Sequence, residues 1–295
     1  MKVGIVGIGK MGKGVATRLI KGGHEVVAFN RTFEKAAALT GATAVHTLEE
    51  LVAALPAPRV VWMYLPFKVT KEPAEELIAL LEPGDTLVDG GNSNPWASNR
   101  FSQLCAEKGI EWADVGTSGG TGGEENGYCL MIGTSPKTFE RLQPLWQAVA
   151  QPEGYAHVGR AFTGHYVKMV HNAIEYGMMQ AFAEGMSLLE NANAGGDEID
   201  LQAVTQVWKH GSIISSRIGD WVAEAYEHPE LLEQASSSVE ENGMARWAVL
   251  DGTSQGVPTP VIAASLFARQ TSQGKADKSS RLLNAVRHLF GGHSL

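Results

Sequence analysis

The segment Val3-Gly4-Ile5-Val6-Gly7-Ile8-Gly9-Lys10-Met11-Gly12 constrains the fold of this chain more than any other. A short apolar strand runs directly into G-x-G-x-x-G, and an amphipathic helical pattern follows to Lys21. In that setting Gly7 permits the tight turn, Gly9 lets the backbone approach a pyrophosphate, and Gly12 lets the helix pack closely. The open N–H groups at the helix start add partial positive charge for the phosphates. A second strand over 25–29 ends at the distance where such folds hold a ribose. The segment therefore predicts a dinucleotide-binding domain, with Gly7, Gly9 and Gly12 in its phosphate loop.

The residues closing that second strand choose between nicotinamide cofactors. An Asp or Glu there holds a free ribose 2′-hydroxyl. This chain has Asn30-Arg31-Thr32. Arg31 can pair with a 2′-phosphate, and Asn30 and Thr32 can hydrogen-bond it, so NADP is expected, with NAD the alternative. The structural alternative is an exposed turn arginine that meets no ligand.

The alternation of strand and helix continues through 60–64 (strand), 70–81 (helix), 86–88 (strand), 95–108 (helix) and 110–115 (strand). It predicts a parallel, doubly wound sheet whose ligands lie beyond the carboxyl ends of the strands. Asn92 and Gly116-Thr117-Ser118-Gly119-Gly120 fall at such ends. The Ser118 hydroxyl with the N–H groups of Gly119 and Gly120 suits a carboxylate, the alternative being a plain glycine loop. After Val158 the pattern turns helical, over 162–191, 201–226, 261–270 and 282–290. The expected fold class is α/β, a Rossmann-type doubly wound domain over 1–159 followed by an all-α domain over 160–295.

The first of these helices carries Lys168, His171, Asn172 and Glu175, which a 3.6-residue repeat places on one face. Met169, Val170, Ala173 and Ile174 between them suit a core. Unpaired buried charge is costly, so the stripe is either a satisfied Lys–Glu pair in a bundle or a proton-transfer site. A lysine near a helix start, desolvated, has its pKa lowered and can serve as a base toward a hydroxyl. Glu175, two turns on, can act as the opposing acid, while His171 and Asn172 would orient hydroxyls.

Bulk properties narrow the class. A net charge of −8 with no basic cluster argues against nucleic acid as a partner. No apolar run reaches the roughly 18–20 residues that span a membrane. The first residues read as a strand, not a signal peptide. Cys105 and Cys129 suggest neither a disulfide framework nor a zinc site, so a cytoplasmic protein without a metal is expected.

With these residues in hand, the chain resembles the decarboxylating 6-phosphogluconate dehydrogenases, in their short form with a single helical domain. The glycine fingerprint, Asn30-Arg31-Thr32, Asp89-Gly90-Gly91-Asn92-Ser93, Val115-Gly116-Thr117-Ser118-Gly119-Gly120 and Gly164-His165-Tyr166-Val167-Lys168-Met169-Val170-His171-Asn172-Ala173-Ile174-Glu175-Tyr176 carry the resemblance over essentially the whole length. The related 3-hydroxyisobutyrate dehydrogenases have a second Asn where this chain has His171.

The resemblance implies that Lys168 takes the C3 hydroxyl proton as hydride passes to NADP. Carbon dioxide is then lost, and Glu175 protonates C1 of the enediol, giving ribulose 5-phosphate. Ser118, Gly119 and Gly120 would hold the carboxylate, Asn92, His171 and Asn172 the other substrate oxygens, and Tyr176 the phosphate. Asn92 and Leu65 would also border the cofactor, although Leu65-Pro66-Phe67-Lys68 differs from the small residues expected there. Arg287 and His293 match an Arg and a His that reach into a neighbouring subunit's site, which implies a homodimer or tetramer. The implied setting is gluconate utilization and the pentose phosphate pathway.

Long-form relatives have an Arg where this chain reads Ile213-Ile214-Ser215-Ser216, and Lys and Thr where Asn242 and Met244 stand. Arg217 and Arg246 are the nearby cations. These departures keep a second reading open, a dehydrogenase of an unphosphorylated aldonate or another β-hydroxyacid. A third is an NADP-sensing protein that has kept the fold, against which Lys168 and Glu175 both speak.

Overall fold

The computed structural model describes residues 1–192, 198–274 and 277–291. It divides into two compact units, Met1–Met169 and Val170–Leu295.

The first unit is built on eight strands: β1 (Lys2–Val6), β2 (Glu25–Phe29), β3 (Ala42–Val45), β4 (Val60–Met63), β5 (Thr86–Asp89), β6 (Glu111–Ser118), β7 (Tyr128–Gly133) and β8 (Ala150–Gly159). Their order is β3-β2-β1-β4-β5-β6-β7-β8. The order reverses between β1 and β4, and a crevice forms at the carboxyl ends there. The strands are buried on both faces, so side chains alternate between two cores. Val60 and Trp62 join one apolar cluster, Val61 and Met63 the other. Trp146, fully buried, meets Trp62 edge-on at 5.1 Å.

Every pairing from β3 to β6 is parallel, as the pattern predicts. The sheet departs from that at β7, which runs antiparallel to β6. Sequence reading had no strand at β7. The turn that reverses the chain holds Gly119, Gly120 and Gly127 at φ values of 128°, 55° and 90°, which only glycine adopts readily.

The long helix, Thr163–Glu190, begins in the first unit and continues into the second. Its first turn belongs with the sheet for a steric reason. A Cβ at Gly164 would lie 2.0 Å from the Asp114 carbonyl oxygen, so only glycine lets the helix sit this close to β6. In the second unit the helices are Leu201–Trp208, Arg217–Glu227, Pro229–Gln234, Met244–Gln255, Pro260–Ser272 and Asp277–Gly291. The single helix expected over 201–226 is two. Gly211 takes φ 81°, and the Ser216 hydroxyl accepts from the Gly219 N–H at 3.1 Å, capping a new start. The helix Met244–Gln255 has a weakly amphipathic sequence and was not anticipated. Its Ala245 packs with Tyr176 and Leu266 into a small core of this unit.

Candidate active site

The glycine loop is shaped by contacts that sequence spacing only hinted at. Gly7 takes φ 96°, and its N–H donates to the Phe29 carbonyl at 2.9 Å. A Cβ at Gly12 would fall 1.9 Å from the Gly7 oxygen, whereas one at Gly9 would meet nothing within 4 Å. Gly12 is thus required by packing, and Gly9 keeps an open approach for a ligand. The helix Lys10–Lys21 then starts at Gly9 with no side-chain cap, so its first N–H groups point into that opening. A dinucleotide fits this cradle.

Beside the loop lies a cavity of about 640 Å³ lined by Gly7, Gly9, Asn30, Arg31, Thr32, Lys35, Leu65 and Lys68, among others. Asn30 has a structural task. Its Oδ1 accepts from the Ile8 N–H and its Nδ2 donates to the Thr32 carbonyl, both at 2.9 Å. It ties the glycine loop to the end of β2, leaving Arg31 and Thr32 as the exposed groups of the triplet. Met11 is half-buried against the apolar core under the loop. Lys35 and Lys71, absent from the sequence expectations, and Lys68 of the loop that follows Leu65 add three cations to the cavity wall. Nothing local marks them, because 35 and 68–71 meet only through the sheet crossover.

At the neighbouring strand ends, Asn92 takes φ 53° and clasps β6. Its Oδ1 accepts from the Thr117 N–H at 2.9 Å and its Nδ2 donates to the Thr117 carbonyl at 3.0 Å. The amide keeps one N–H and one lone pair for a ligand. Tyr64 supports the same point, its hydroxyl 3.3 Å from the Thr117 Oγ1. Burial pushes that hydroxyl above its usual pKa, so it stays neutral. Ser118 ends β6, and Gly119 and Gly120 follow with exposed backbone.

Lys168 is buried, 4 % exposed, and its stem rests on β6. A Cβ at Gly116 would come within 2.5 Å of the Lys168 Cβ. The strand that runs into Ser118-Gly119-Gly120 therefore also seats the stem of Lys168.

The remaining predicted residues lie in the second unit. The stripe is not uniformly buried. Asn172 is buried, while the His171 and Glu175 side chains are each 39 % exposed. The apolar side divides likewise, with Met169 and Ala173 buried and Ile174 exposed. His171 Nδ1 lies 3.0 Å from the Asn172 Oδ1 and 3.9 Å from the Glu175 Oε2.

Tyr176 is buried, and its hydroxyl donates to the Asn242 Oδ1 and accepts from the Asn242 N–H, both at 3.2 Å. Its one proton is thereby committed to Asn242. The cation nearby is one that sequence reasoning missed. The Arg269 guanidinium lies 3.5 Å from the Tyr176 ring centroid and donates to the Glu240 carbonyl at 3.1 Å. The two arginines singled out from sequence are engaged elsewhere. Arg246 pairs closely with Glu241, and Arg217 stacks on Trp221 with Asp220 at 4.0 Å. Arg287 is exposed on the helix Asp277–Gly291, and His293 lies outside the described residues.

Comparison with known proteins identifies the family. Residues 2–164 match the NAD binding domain of 6-phosphogluconate dehydrogenase, and residues 164–288 match the 6-phosphogluconate dehydrogenase C-terminal domain. An NAD(+)-dependent, decarboxylating 6-phosphogluconate dehydrogenase of Haloferax volcanii is 36% identical over 100% of this chain and 98% of its own length. The decarboxylating 6-phosphogluconate dehydrogenase of Haemophilus influenzae is 32% identical over 98% of this chain, which spans 62% of that longer protein. Among solved structures, Plasmodium falciparum 6-phosphogluconate dehydrogenase, determined in its apo form, with NADP+ and with 6-phosphogluconate, superposes with a TM-score of 0.85. That match has 27% identity and covers 96% of this chain and 64% of the other. This chain belongs to the 6-phosphogluconate dehydrogenase family and is an oxidoreductase of that kind, with a Rossmann-type domain for a nicotinamide cofactor.

Proposed function

We propose that the protein oxidises and decarboxylates 6-phospho-D-gluconate to D-ribulose 5-phosphate and carbon dioxide, with NADP as oxidant. The observation that carries this reading is Lys168, a buried lysine whose stem packs on Gly116 of the strand that runs into Ser118-Gly119-Gly120.

Gly7, Gly9 and Gly12 hold the pyrophosphate of the cofactor, and Arg31 with Thr32 takes its 2′-phosphate. When bound, the nicotinamide accepts the hydride released from C3. Lys168 removes the C3 hydroxyl proton as that hydride departs, leaving a 3-keto acid. Ser118 and the Gly119 and Gly120 N–H groups hold the carboxylate. The C1–C2 bond breaks with the electron pair flowing toward the C3 carbonyl, whose oxygen takes back the proton held by Lys168, so carbon dioxide leaves and an enediol remains. Glu175 delivers a proton to the former C2, now C1 of the product, as Lys168 takes the proton from the C3 hydroxyl, and the half-exposed Glu175 carboxyl can be reloaded from water. Asn92, His171 and Asn172 orient the sugar hydroxyls.

The test is one assay run four ways: 6-phosphogluconate and gluconate, each with NADP and with NAD, following reduced cofactor and released carbon dioxide. Equimolar NADPH and carbon dioxide from the phosphorylated acid is the expected result. Because Arg31, Lys35, Lys68 and Lys71 border the cofactor cavity, NADP should outperform NAD. Faster turnover with NAD would align the chain with its Haloferax relative and reverse the cofactor reading. A second reading, an unphosphorylated aldonate or another β-hydroxyacid, is favoured by Asn242 and Met244 and by the commitment of the Tyr176 hydroxyl to Asn242. Turnover of gluconate in preference to its phosphate would support it.

The same reading includes a cytoplasmic homodimer or tetramer, acting in gluconate use and the pentose phosphate route, with a C-terminal tail that completes the neighbouring site. Leu282, Leu283, Val286 and Leu289 form an apolar face on the helix Asp277–Gly291, with exposures of 64%, 64%, 43% and 82%. A face of that kind suits burial against a second copy. Deleting residues 285–295 should raise the KM for the acid at least tenfold and leave NADP affinity unchanged. Unaltered kinetics would refute the shared site.

A further inference from the structure

The start of the long helix is held from outside itself. The residue before it is Phe162, which has no side-chain acceptor to cap the first N–H groups. The acceptor comes from β6 instead. Asp114, fully buried, takes the Phe162 N–H on Oδ1 at 2.6 Å and the His165 N–H on Oδ2 at 2.7 Å. Burial pushes the Asp114 carboxyl upward, while those two N–H groups and the His165 ring pull it back. With both oxygens accepting, the geometry uses the carboxylate form.

Phe162 is also where the backbone is strained. Its φ is 95°, a left-handed value that a bulky side chain rarely adopts. Its ring is braced by Tyr166 at 5.3 Å and Trp96 at 6.4 Å. One residue past the first turn's glycine, the fully buried His165 brings Nδ1 against the Ser98 hydroxyl, fastening the helix at a second point. Strain kept at a junction and over-determined by its surroundings commonly fixes a functional geometry. Here the group one turn further on is Lys168, packed on Gly116, two residues beyond Asp114 in the same strand.

We propose that Asp114 is a positioning residue for Lys168: its carboxylate clamps the strained first turn of the helix and so sets the register at which the amine stands beside Ser118-Gly119-Gly120. The proposal rests on Lys168 being the base. Asp114 acts through the helix, whose first N–H groups it holds.

The test is a double-mutant cycle on the full chain, comparing Asp114→Asn, Lys168→Met and the double variant. The isosteric amide opposes an N–H with an N–H at one oxygen, loosening one bond of the clamp. Asp114→Asn should lower kcat about 10- to 100-fold. It should leave the dissociation constant of NADP unchanged and speed hydrogen exchange at the amides of residues 162–165. In the Lys168→Met background the same change should cost less than about twofold, because no base remains to misplace. An undiminished loss there, or an Asp114→Asn enzyme with wild-type kcat, overturns the proposal. Full activity in Lys168→Met shows instead that the reading of the base is wrong, and the proposal falls with it. If Asp114→Asn does not fold, Ser98→Ala carries the same cycle, with a loss of a few-fold expected in the Lys168 background alone.

Discussion

Lys168→Met lowers kcat by about two to four decades, the usual contribution of a positioned general base, while NADP binds as before. That loss corresponds to roughly 3–5 kcal/mol of barrier at about 1.4 kcal/mol per decade. Methionine preserves the unbranched stem and its packing on Gly116, so the helix has no reason to move. Shortening to alanine would confuse the result by opening a void at a site that is 4 % exposed. The cofactor should be indifferent, because the glycine loop, Arg31 and Thr32 are held by the bonds of Asn30 and Gly7, which the substitution does not touch. Steady-state turnover and an NADP titration by tryptophan fluorescence make the comparison. A variant keeping more than a tenth of wild-type kcat would put the base elsewhere, with Glu175 and His171 next in line.

How much of this was legible follows from the distance over which each feature is encoded. The glycine loop is written in six consecutive residues, and the structure repeats its logic with one refinement: the Asn30 amide faces inward to Ile8 and Thr32. Of the parallel strands, β1, β2, β4, β5 and β6 announce themselves locally, whereas the short β3 and the polar β8 do not. β7 is not legible either, since its apolar run follows a glycine cluster that reads as loop, and antiparallel pairing needs the partner strand. The break at Gly211 was present in the letters, but the apolar periodicity on either side outweighed one glycine. The stripe on the long helix was read correctly as a face and incorrectly as evenly buried. Spacing determines which side chains share a side, and tertiary packing decides that Lys168 is enclosed while Glu175 meets solvent. Arg269 and Asp114 lay beyond reach for a common reason. Each acts on a residue far along the chain, Tyr176 and Phe162 respectively, and no local pattern pairs them.

Arg269→Ala raises the KM for 6-phosphogluconate about 10- to 100-fold with a much smaller change in kcat. Hydrogen bonds involving a charged group contribute about 1.5–3 kcal/mol, which is one to two decades. The motive is that Arg269 is the cation seen against Tyr176. Asn242 and Met244 supply no charge, Arg246 is neutralised by Glu241, and Arg217 lies on Trp221. Among the described residues Arg269 meets a carbonyl, a thioether and an aromatic face, with no carboxylate against it. A phosphate arriving at Tyr176 therefore meets a guanidinium that is already oriented. Two controls separate recognition from support of the ring. Arg269→Lys keeps the charge but loses the planar fork, and should fall between wild type and alanine. Gluconate, which lacks the phosphate, should be used equally poorly by all three proteins. If the alanine variant instead leaves the KM for the phosphorylated acid unchanged, the terminal group is not read beside Tyr176, and the unphosphorylated acid becomes the better substrate to pursue.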